Sequence, residues 1–224
     1  MKVLKMIIAI FIFCLLLSNQ FIKIVTAVNE KPAGEISITI NTYNRTLIIY
    51  SDNKPYKTYP IAIGKPTTKS PIGEWAIISK SKDWGDGLGT RWMGLNVPWG
   101  IYGIHGTNKP GSIGRAASHG CIRMHNKNIE ELYEWLPLKT RVRIIGRRLP
   151  ITVNRVLKPG QMGLSVIHLQ DNLNNYNFDS GYRDARYGPT TVAVVKELQV
   201  QYGLKNNGIA NWNVLYILEL PAEE

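Results

Sequence analysis

The segment SHGCIRM, residues 118–124, contains Cys121, the only cysteine outside the apolar N-terminal region. Gly120 comes directly before it, and His105 lies 16 residues upstream in the motif HGT. A thiol attacks acyl groups as its thiolate, which a neighbouring histidine can generate near neutral pH. A glycine beside the nucleophile lets main-chain N–H groups approach a developing oxyanion. The segment therefore indicates acyl-transfer chemistry on Cys121.

A structural role is the alternative for each of these residues taken alone. An isolated cysteine is commonly a small core hydrophobe, and an isolated histidine is commonly a hydrogen-bonded polar residue. Here a single thiol stands among histidines, glycines, a serine and an arginine. The separation of 16 positions between His105 and Cys121 also allows the end of a strand that carries one residue to face a loop that carries the other. The cluster thus favours a catalytic cysteine over a structural one.

The first 27 residues are typical of an export signal. Lys2 and Lys5 give a basic start, Met6–Leu17 is apolar and uncharged, and small residues precede a cleavage point after Ala27. The apolar run is shorter than the roughly 20 residues that a membrane-spanning helix needs. We expect cleavage after Ala27, with an uncleaved N-terminal anchor as the alternative, and we expect the protein at the cell wall or the extracytoplasmic face of the membrane.

Charge and cysteine content agree with export. Removing the signal would take away three lysines and no acid, so the net charge of +11 would fall to +8. The remaining chain would hold one cysteine, which excludes an internal disulfide. A basic surface outside the cell favours anionic polymers such as a cell wall. We expect no nucleic-acid partner, because no dense Lys/Arg run with interleaved aromatic residues occurs. We also expect no cofactor and no metal, since the spacings typical of zinc ligands do not occur.

The first part of the chain is predicted to be mainly β. Short runs of β-branched and alternating residues are separated by glycine and proline turns, which suggests a β-sandwich or barrel. A short helix with one apolar face is predicted before the last strand. The predicted strands are Ile36–Ile40, Thr46–Tyr50, Lys57–Ile63, Glu74–Ser79, Ile101–His105 and Thr140–Ile145, and the helix is Asn128–Trp135.

The second part is predicted to be all-α. Residues 150–159 read as a connection, and from Leu164 the apolar residues recur at helical spacing in three segments. Three short helices of this kind form a small bundle whose apolar stripes make the core.

These motifs resemble the YkuD-type L,D-transpeptidases of bacterial cell walls. The family signature, HG(T) followed by S-x-G-C-[IL]-R, is matched by His105-Gly106-Thr107 and by Ser118–Arg123, and the likeness extends over about residues 34–146. It implies an L,D-transpeptidase-like, mainly β catalytic domain at 34–147. The C-terminal part is similar to three-helix peptidoglycan-binding domains, which implies such a domain at 156–220, although Asn206 and Asn207 depart from the family's acidic turn.

The resemblance also implies a reaction and roles for the motif residues. Cys121 would attack the amide between the third residue and the terminal D-Ala of a tetrapeptide stem. The resulting thioester would pass to an amine of a neighbouring stem, giving a 3→3 cross-link. The alternatives are transfer to water, as in an L,D-carboxypeptidase, and a wall-binding protein without catalysis.

Seven residues are expected to form the site. His105 is the expected base, and the carbonyl of Gly106 is expected to orient its ring. The N–H groups of Gly120 and Cys121, helped by His119, are expected to form the oxyanion hole. Ser118 and Arg123 are expected to position the segment or a substrate carboxylate, with a structural ion pair as the alternative for Arg123.

Overall fold

The computed structural model describes residues 30–82, 87–149 and 151–221, so the expected export signal at 1–27 lies outside the described residues. Ten strands occur in the described part of the chain. They are β1 (Ile36–Asn41), β2 (Thr46–Ser51), β3 (Lys54–Pro60), β4 (Ile63–Gly64), β5 (Gly73–Lys82), β6 (Arg91–Leu95), β7 (Tyr102–His105), β8 (Ala116–Ser118), β9 (Ile122–Arg123) and β10 (Arg141–Ile145).

Eight of these strands form one curled sheet in the order β3-β2-β1-β10-β5-β6-β7-β9, and β4 pairs with β8 in a small second sheet. The sheet turns along β5. Residues 73–76 of β5 pair with β10, whereas residues 77–82 pair with β6 after a register shift near Ile77. The predicted mainly β class of this part is confirmed.

The third predicted strand, Lys57–Ile63, is wrong in its bounds. β3 runs antiparallel to β2 only as far as Pro60, whose ring nitrogen has no N–H to continue the ladder. The chain then changes partner, because the Ala62 N–H donates to the carbonyl of Arg123 at 2.9 Å. This change of partner places Ala62 beside Arg123, and Ile63–Gly64 beside β8, which precedes Cys121.

The core of the β part lies inside the curl of the sheet. Ile38 and Ile40 of β1 face inward with the alternate residues of the neighbouring strands, as the two-residue period of a strand requires. Helix α1 (Asn126–Trp135) covers β6 and β7 and buries Ile129, Leu132 and Trp135 in this core. The predicted short helix is confirmed and begins two residues earlier than expected.

The three predicted C-terminal helices are confirmed as α2 (Leu164–Asn175), α3 (Pro189–Gln201) and α4 (Trp212–Ile217). They enclose a second core, which includes Leu169, Leu198 and Leu215. Asn211 caps α4, because its side-chain oxygen accepts the N–H of Val214 at 3.2 Å. Among the described residues, none of the helices has the length and apolarity needed to cross a bilayer.

The helical part packs directly on the sheet, and the described residues from Pro32 to Pro221 belong to a single compact unit. Ile167 of α2 and Ala185, in the loop before α3, are fully buried and belong to the core of the β part. Arg148 forms an ion pair with Asp171 of α2, and Arg183 pairs with both Asp171 and Glu74. The helical part is therefore held to the sheet by apolar packing and by charged side chains from both sides.

Candidate active site

Two adjacent parallel strands bring His105 and Cys121 to one face of the sheet. In the register of β7 and β9, Ile104 lies beside Ile122 and His105 beside Arg123. The same register continued one residue back places Cys121 beside Gly103. Since side chains alternate along a strand, Cys121, Arg123 and His105 share a face. The Met124 N–H donates to the carbonyl of His105 at 2.8 Å and fixes this register beyond β9.

His105 is held as a neutral imidazole with a defined tautomer. Its side chain is buried, and Nδ1 lies 2.5 Å from the carbonyl oxygen of Gly106. A carbonyl can only accept, so Nδ1–H donates and Nε2 is the unprotonated nitrogen of the neutral ring. Burial lowers the pKa of His105, the carbonyls of Gly106 and Leu88 oppose that shift, and the charge of Arg123 adds to it. His105 is therefore available as a proton acceptor at neutral pH.

Cys121 is half-buried and is the free cysteine of the described residues. Its Sγ lies 4.0 Å from the carbonyl oxygen of Ile101. Burial raises the pKa of the thiol, while a backbone hydrogen bond with Gly103 and the charge of Arg123 act in the opposite direction. The resting residue is thus a thiol that needs a base to become a nucleophile.

The buried hydroxyl of Ser118 fixes the turn that carries Cys121. It donates to the carbonyl of Cys121 at 2.6 Å and accepts the N–H of Gly120 at 3.0 Å. Two neighbours of the turn hold the Ser118 carbonyl, through the Lys65 N–H and the Thr68 hydroxyl, each at 3.0 Å. These hydrogen bonds of Ser118 hold the backbone of the turn in place.

Gly120 is needed for backbone conformation and for space. Its φ is +121°, and a Cβ there would lie 2.6 Å from Cε1 of Tyr102. We expected its N–H to face the oxyanion, but in this structure that N–H is donated to Ser118. No acceptor for the Cys121 N–H occurs among the described residues, so this N–H is a main-chain donor available to a substrate.

The remaining two predicted residues differ in their surroundings. His119 is exposed to solvent. The Nε of Arg123 is buried and has no hydrogen-bond partner among the described residues, and no described acid forms a salt bridge with Arg123. An unpaired buried guanidinium donor is costly unless a ligand completes it. The guanidinium of Arg123 is thus suited to bind an anionic group of a ligand close to Cys121 by donating hydrogen bonds to it.

Two further residues form the site and were absent from the predicted set. The ring of Trp92 stacks on that of His105, with centroids 5.7 Å apart and an interplanar angle of 29°. The ring of Tyr102 packs against Gly120. Trp92 faces His105 in the register of β6 and β7, so strand pairing was the signal that would have located it. A groove of about 420 Å³ opens beside these rings, and both Trp92 and Tyr102 line it.

Nothing in the described ranges resembles a metal centre, because no three His, Cys, Asp or Glu side chains there are grouped closely enough to hold an ion. The residues around Cys121 instead combine a thiol, a neutral imidazole and a main-chain N–H. That combination can carry out acyl transfer without a bound metal.

Two family models match the sequence. The model described as the L,D-transpeptidase catalytic domain, YkuD, matches residues 35–144. The model described as a putative peptidoglycan binding domain matches residues 163–218. Together the two matches cover both the sheet and the three helices.

Known proteins match the β part. The putative L,D-transpeptidase YkuD of Bacillus subtilis is 47% identical over 107 residues, which are 48% of this chain and 64% of that protein. The putative L,D-transpeptidase YqjB of Bacillus subtilis is 34% identical over 126 residues, covering 50% of this chain and 72% of that protein. The catalytic domain of the E. faecium L,D-transpeptidase is 26% identical with a TM-score of 0.44, covering 50% of this chain and 97% of that chain. The match to YkuD of Bacillus subtilis thus spans less than two thirds of that protein.

Proposed function

This chain belongs to the YkuD-type L,D-transpeptidases, and we propose that it forms 3→3 cross-links in peptidoglycan through a thioester on Cys121. The observation that carries the proposal is the pairing of β7 with β9, which brings a neutral His105 and the thiol of Cys121 to one face. Peptidoglycan stem peptides would be both the acyl donor and the acceptor.

In the acylation step, the base is His105. Its Nε2 takes the proton of Cys121 as Sγ attacks the carbonyl carbon between the third residue and the terminal D-Ala. The Cys121 N–H stabilises the oxyanion; loss of one such donor typically costs about 10²–10³ in rate. The imidazolium then protonates the leaving amine, the C–N bond breaks, and D-Ala departs from the thioester.

In the second step, an amine of a neighbouring stem attacks the thioester carbonyl. His105 accepts the proton of the attacking amine, the C–S bond breaks, and the proton returns to the sulfur of Cys121. The Gly106 carbonyl, which accepts from Nδ1–H, holds the ring in place and stabilises the imidazolium in both steps. Arg123 would hold a substrate carboxylate near the reacting carbon.

The other parts of the chain support action at the wall. We propose that the protein is exported and acts in peptidoglycan biosynthesis, and hence in the maintenance of cell shape. The basic composition suits an anionic wall, and the helical part, which matches the peptidoglycan-binding model, is proposed to contact the same polymer.

Product analysis tests the proposal. Purified protein would be incubated with a disaccharide-tetrapeptide and the products separated by mass spectrometry, with Cys121→Ala as the matched control. A 3→3 dimer that is absent with Cys121→Ala supports the proposal. A tripeptide as the only product means that water is the acceptor and that the protein is an L,D-carboxypeptidase. No product at all, with retained binding to sacculi, leaves a wall-binding protein without catalysis.

A further inference from the structure

A groove of about 420 Å³ lies beside the thiol, and the helical part of the chain contributes to its lining. The lining includes Ile101, whose carbonyl oxygen lies 4.0 Å from Sγ of Cys121, and Trp92, whose ring stacks on His105. Arg186, which belongs to the loop before α3, also lines the groove. A residue of the helical part therefore shares a groove with direct neighbours of Cys121 and His105.

The guanidinium of Arg186 is oriented by neutral groups. One terminal nitrogen donates to the carbonyl of Asn96 at 2.8 Å, and the other donates to the carbonyl of Asp184 at 3.1 Å. No described carboxylate forms a salt bridge with it, and among the described residues of the groove it is the only charged side chain. A guanidinium has five N–H donors, so donors remain for a ligand. The guanidinium therefore has no ion-pair partner among the described residues; the carboxylate of Asp184 accepts the main-chain N–H of Arg186 at 2.9 Å instead.

The loop that carries Arg186 is fixed in place. The buried side chain of Gln170 accepts the Ala185 N–H at 3.0 Å and donates to the carbonyl of Arg186 at 3.1 Å. Ala185 itself is buried in the core of the β part, and the Glu74 N–H donates to the carbonyl of Arg183 at 3.0 Å. The position of Arg186 relative to the groove is thus set by packing and not by a flexible connection.

We propose that Arg186 is a substrate-binding residue that recognises a carboxylate of the peptidoglycan stem peptide. The proposal rests on the proposed function, because that function supplies the anionic peptide. A planar guanidinium held by two carbonyls presents its remaining donors to a carboxylate, and charge-assisted hydrogen bonds of this kind are among the strong ones. The apolar walls at Trp92 and Leu95 would contact the aliphatic parts of the peptide. The helical part would then contribute to substrate selection as well as to wall binding.

The test compares Arg186→Gln, which keeps an N–H donor for Asn96 but removes the charge, with Arg186→Lys, which keeps the charge. Arg155→Gln is the matched control, because Arg155 is exposed and lies outside the groove. Each enzyme would be assayed with the tetrapeptide stem and with analogues in which single carboxylates are amidated. We expect Arg186→Gln to raise KM about tenfold with little change in kcat, as loss of one charged hydrogen bond implies. We expect Arg186→Lys to recover part of the loss, and Arg155→Gln to behave like the wild type.

The amidated analogues identify the partner of Arg186. One amidation should raise the KM of the wild type about tenfold and should have no further effect in Arg186→Gln, because the interacting charge is already gone. If Arg186→Gln matches the wild type in KM and in its response to every analogue, the inference is overturned while the transpeptidase proposal stands.

A binding measurement separates this inference from the proposed function. Calorimetric affinity for the tetrapeptide would be measured in Cys121→Ala and in Cys121→Ala with Arg186→Gln, neither of which needs turnover. About tenfold weaker binding in the second protein supports the role of Arg186 even if the wild type proves inactive. Equal affinity in the two proteins, with equal melting temperatures, contradicts it.

Discussion

The indole ring of Trp92 lies against the imidazole of His105, with 5.7 Å between ring centroids and 29° between ring planes. Trp92 is nearly fully buried, so it excludes water from one face of the imidazole. Trp92 is a core residue of β6, and His105 is the last residue of β7. Their contact links the protonation of His105 to packing within the sheet.

Replacing Trp92 with leucine should change the pH profile. Burial lowers the pKa of His105 from 6.5, so the acidic limb of kcat/KM should lie below pH 6.5 in the wild type. Trp92→Leu admits water to the ring, which should raise the pKa and move this limb upward toward 6.5. Trp92→Phe keeps an aromatic face and should leave the limb near its wild-type position. If the acidic limb is unchanged in Trp92→Leu, Trp92 does not affect the pKa of His105 and the prediction is wrong.

Removal of the imidazole of His105, the proposed base, should greatly lower the rate. His105→Gln keeps a hydrogen-bond donor for the Gly106 carbonyl but cannot take the thiol proton. We expect kcat to fall by about 10²–10⁴-fold, the usual contribution of a general base. The acidic limb of the pH profile should disappear as well. If His105→Gln keeps full activity and the acidic limb of its pH profile is unaltered, a group other than His105 is the base.

The hydroxyl of Ser118 should matter for both stability and rate. Ser118→Ala leaves the buried Gly120 N–H without an acceptor and frees the carbonyl of Cys121. An unsatisfied buried group costs about 1–3 kcal/mol, so the free energy of unfolding should fall by that amount. Turnover should fall with it, because the turn that aims the thiol loses its bonds. Ser118→Thr keeps the hydroxyl and is the matched control; equal losses in the two variants would count against the hydrogen bonds as the cause.

Stability should decline in mild acid because of His168. Burial, together with the charge of Arg148, lowers the pKa of His168 from 6.5 to about 4. Since the unfolded chain takes up this proton at higher pH than the folded chain, the stabilising contribution is present above pH 6.5 and is lost as the pH falls toward about 4. The melting temperature should therefore drop over this window, and His168→Gln should flatten the drop. An identical pH dependence in His168→Gln would contradict the assignment.

Asp171 should hold the helical part to the sheet. Asp171→Asn leaves the largely buried Arg148 without its charged partner, and Arg183 loses one of two. We expect a loss of about 2–3 kcal/mol in the free energy of unfolding, less than for a fully buried pair. Glu197→Gln, in an exposed position on α3, is the control and should change little. A melting curve that splits into two transitions only in Asp171→Asn would further locate the effect at the contact between the two parts.

The sequence predicted the elements with clear periodicity and missed those that depend on pairing. β1, β2 and the helices follow from alternation or from helical spacing. β6 does not alternate, because Trp92, Met93, Gly94 and Leu95 are all buried, and it was not predicted as a strand. The break after Pro60 was missed because Ile61 and Ile63 continue the alternation while the chain changes partner.

Within the site, residue types could be predicted but their hydrogen bonds could not. The HGT and SHGCIR motifs located His105 and Cys121, whereas the donation of the Gly120 N–H to Ser118 depends on the turn geometry. The packing of the helical part against the sheet could not be predicted from the sequence either. Ile167 and Ala185 look like ordinary core residues of a helical bundle, and only the folded chain places them against the sheet.

The most direct test of the central claim is intact-protein mass spectrometry during turnover. The wild type would be mixed with the disaccharide-tetrapeptide, quenched in acid at short times, and digested to locate any adduct. We predict a mass increase equal to the substrate without its terminal D-Ala, carried by the peptide that contains Cys121 and absent from Cys121→Ala. Cross-linked product from Cys121→Ala, or an adduct on a different residue, would contradict the account.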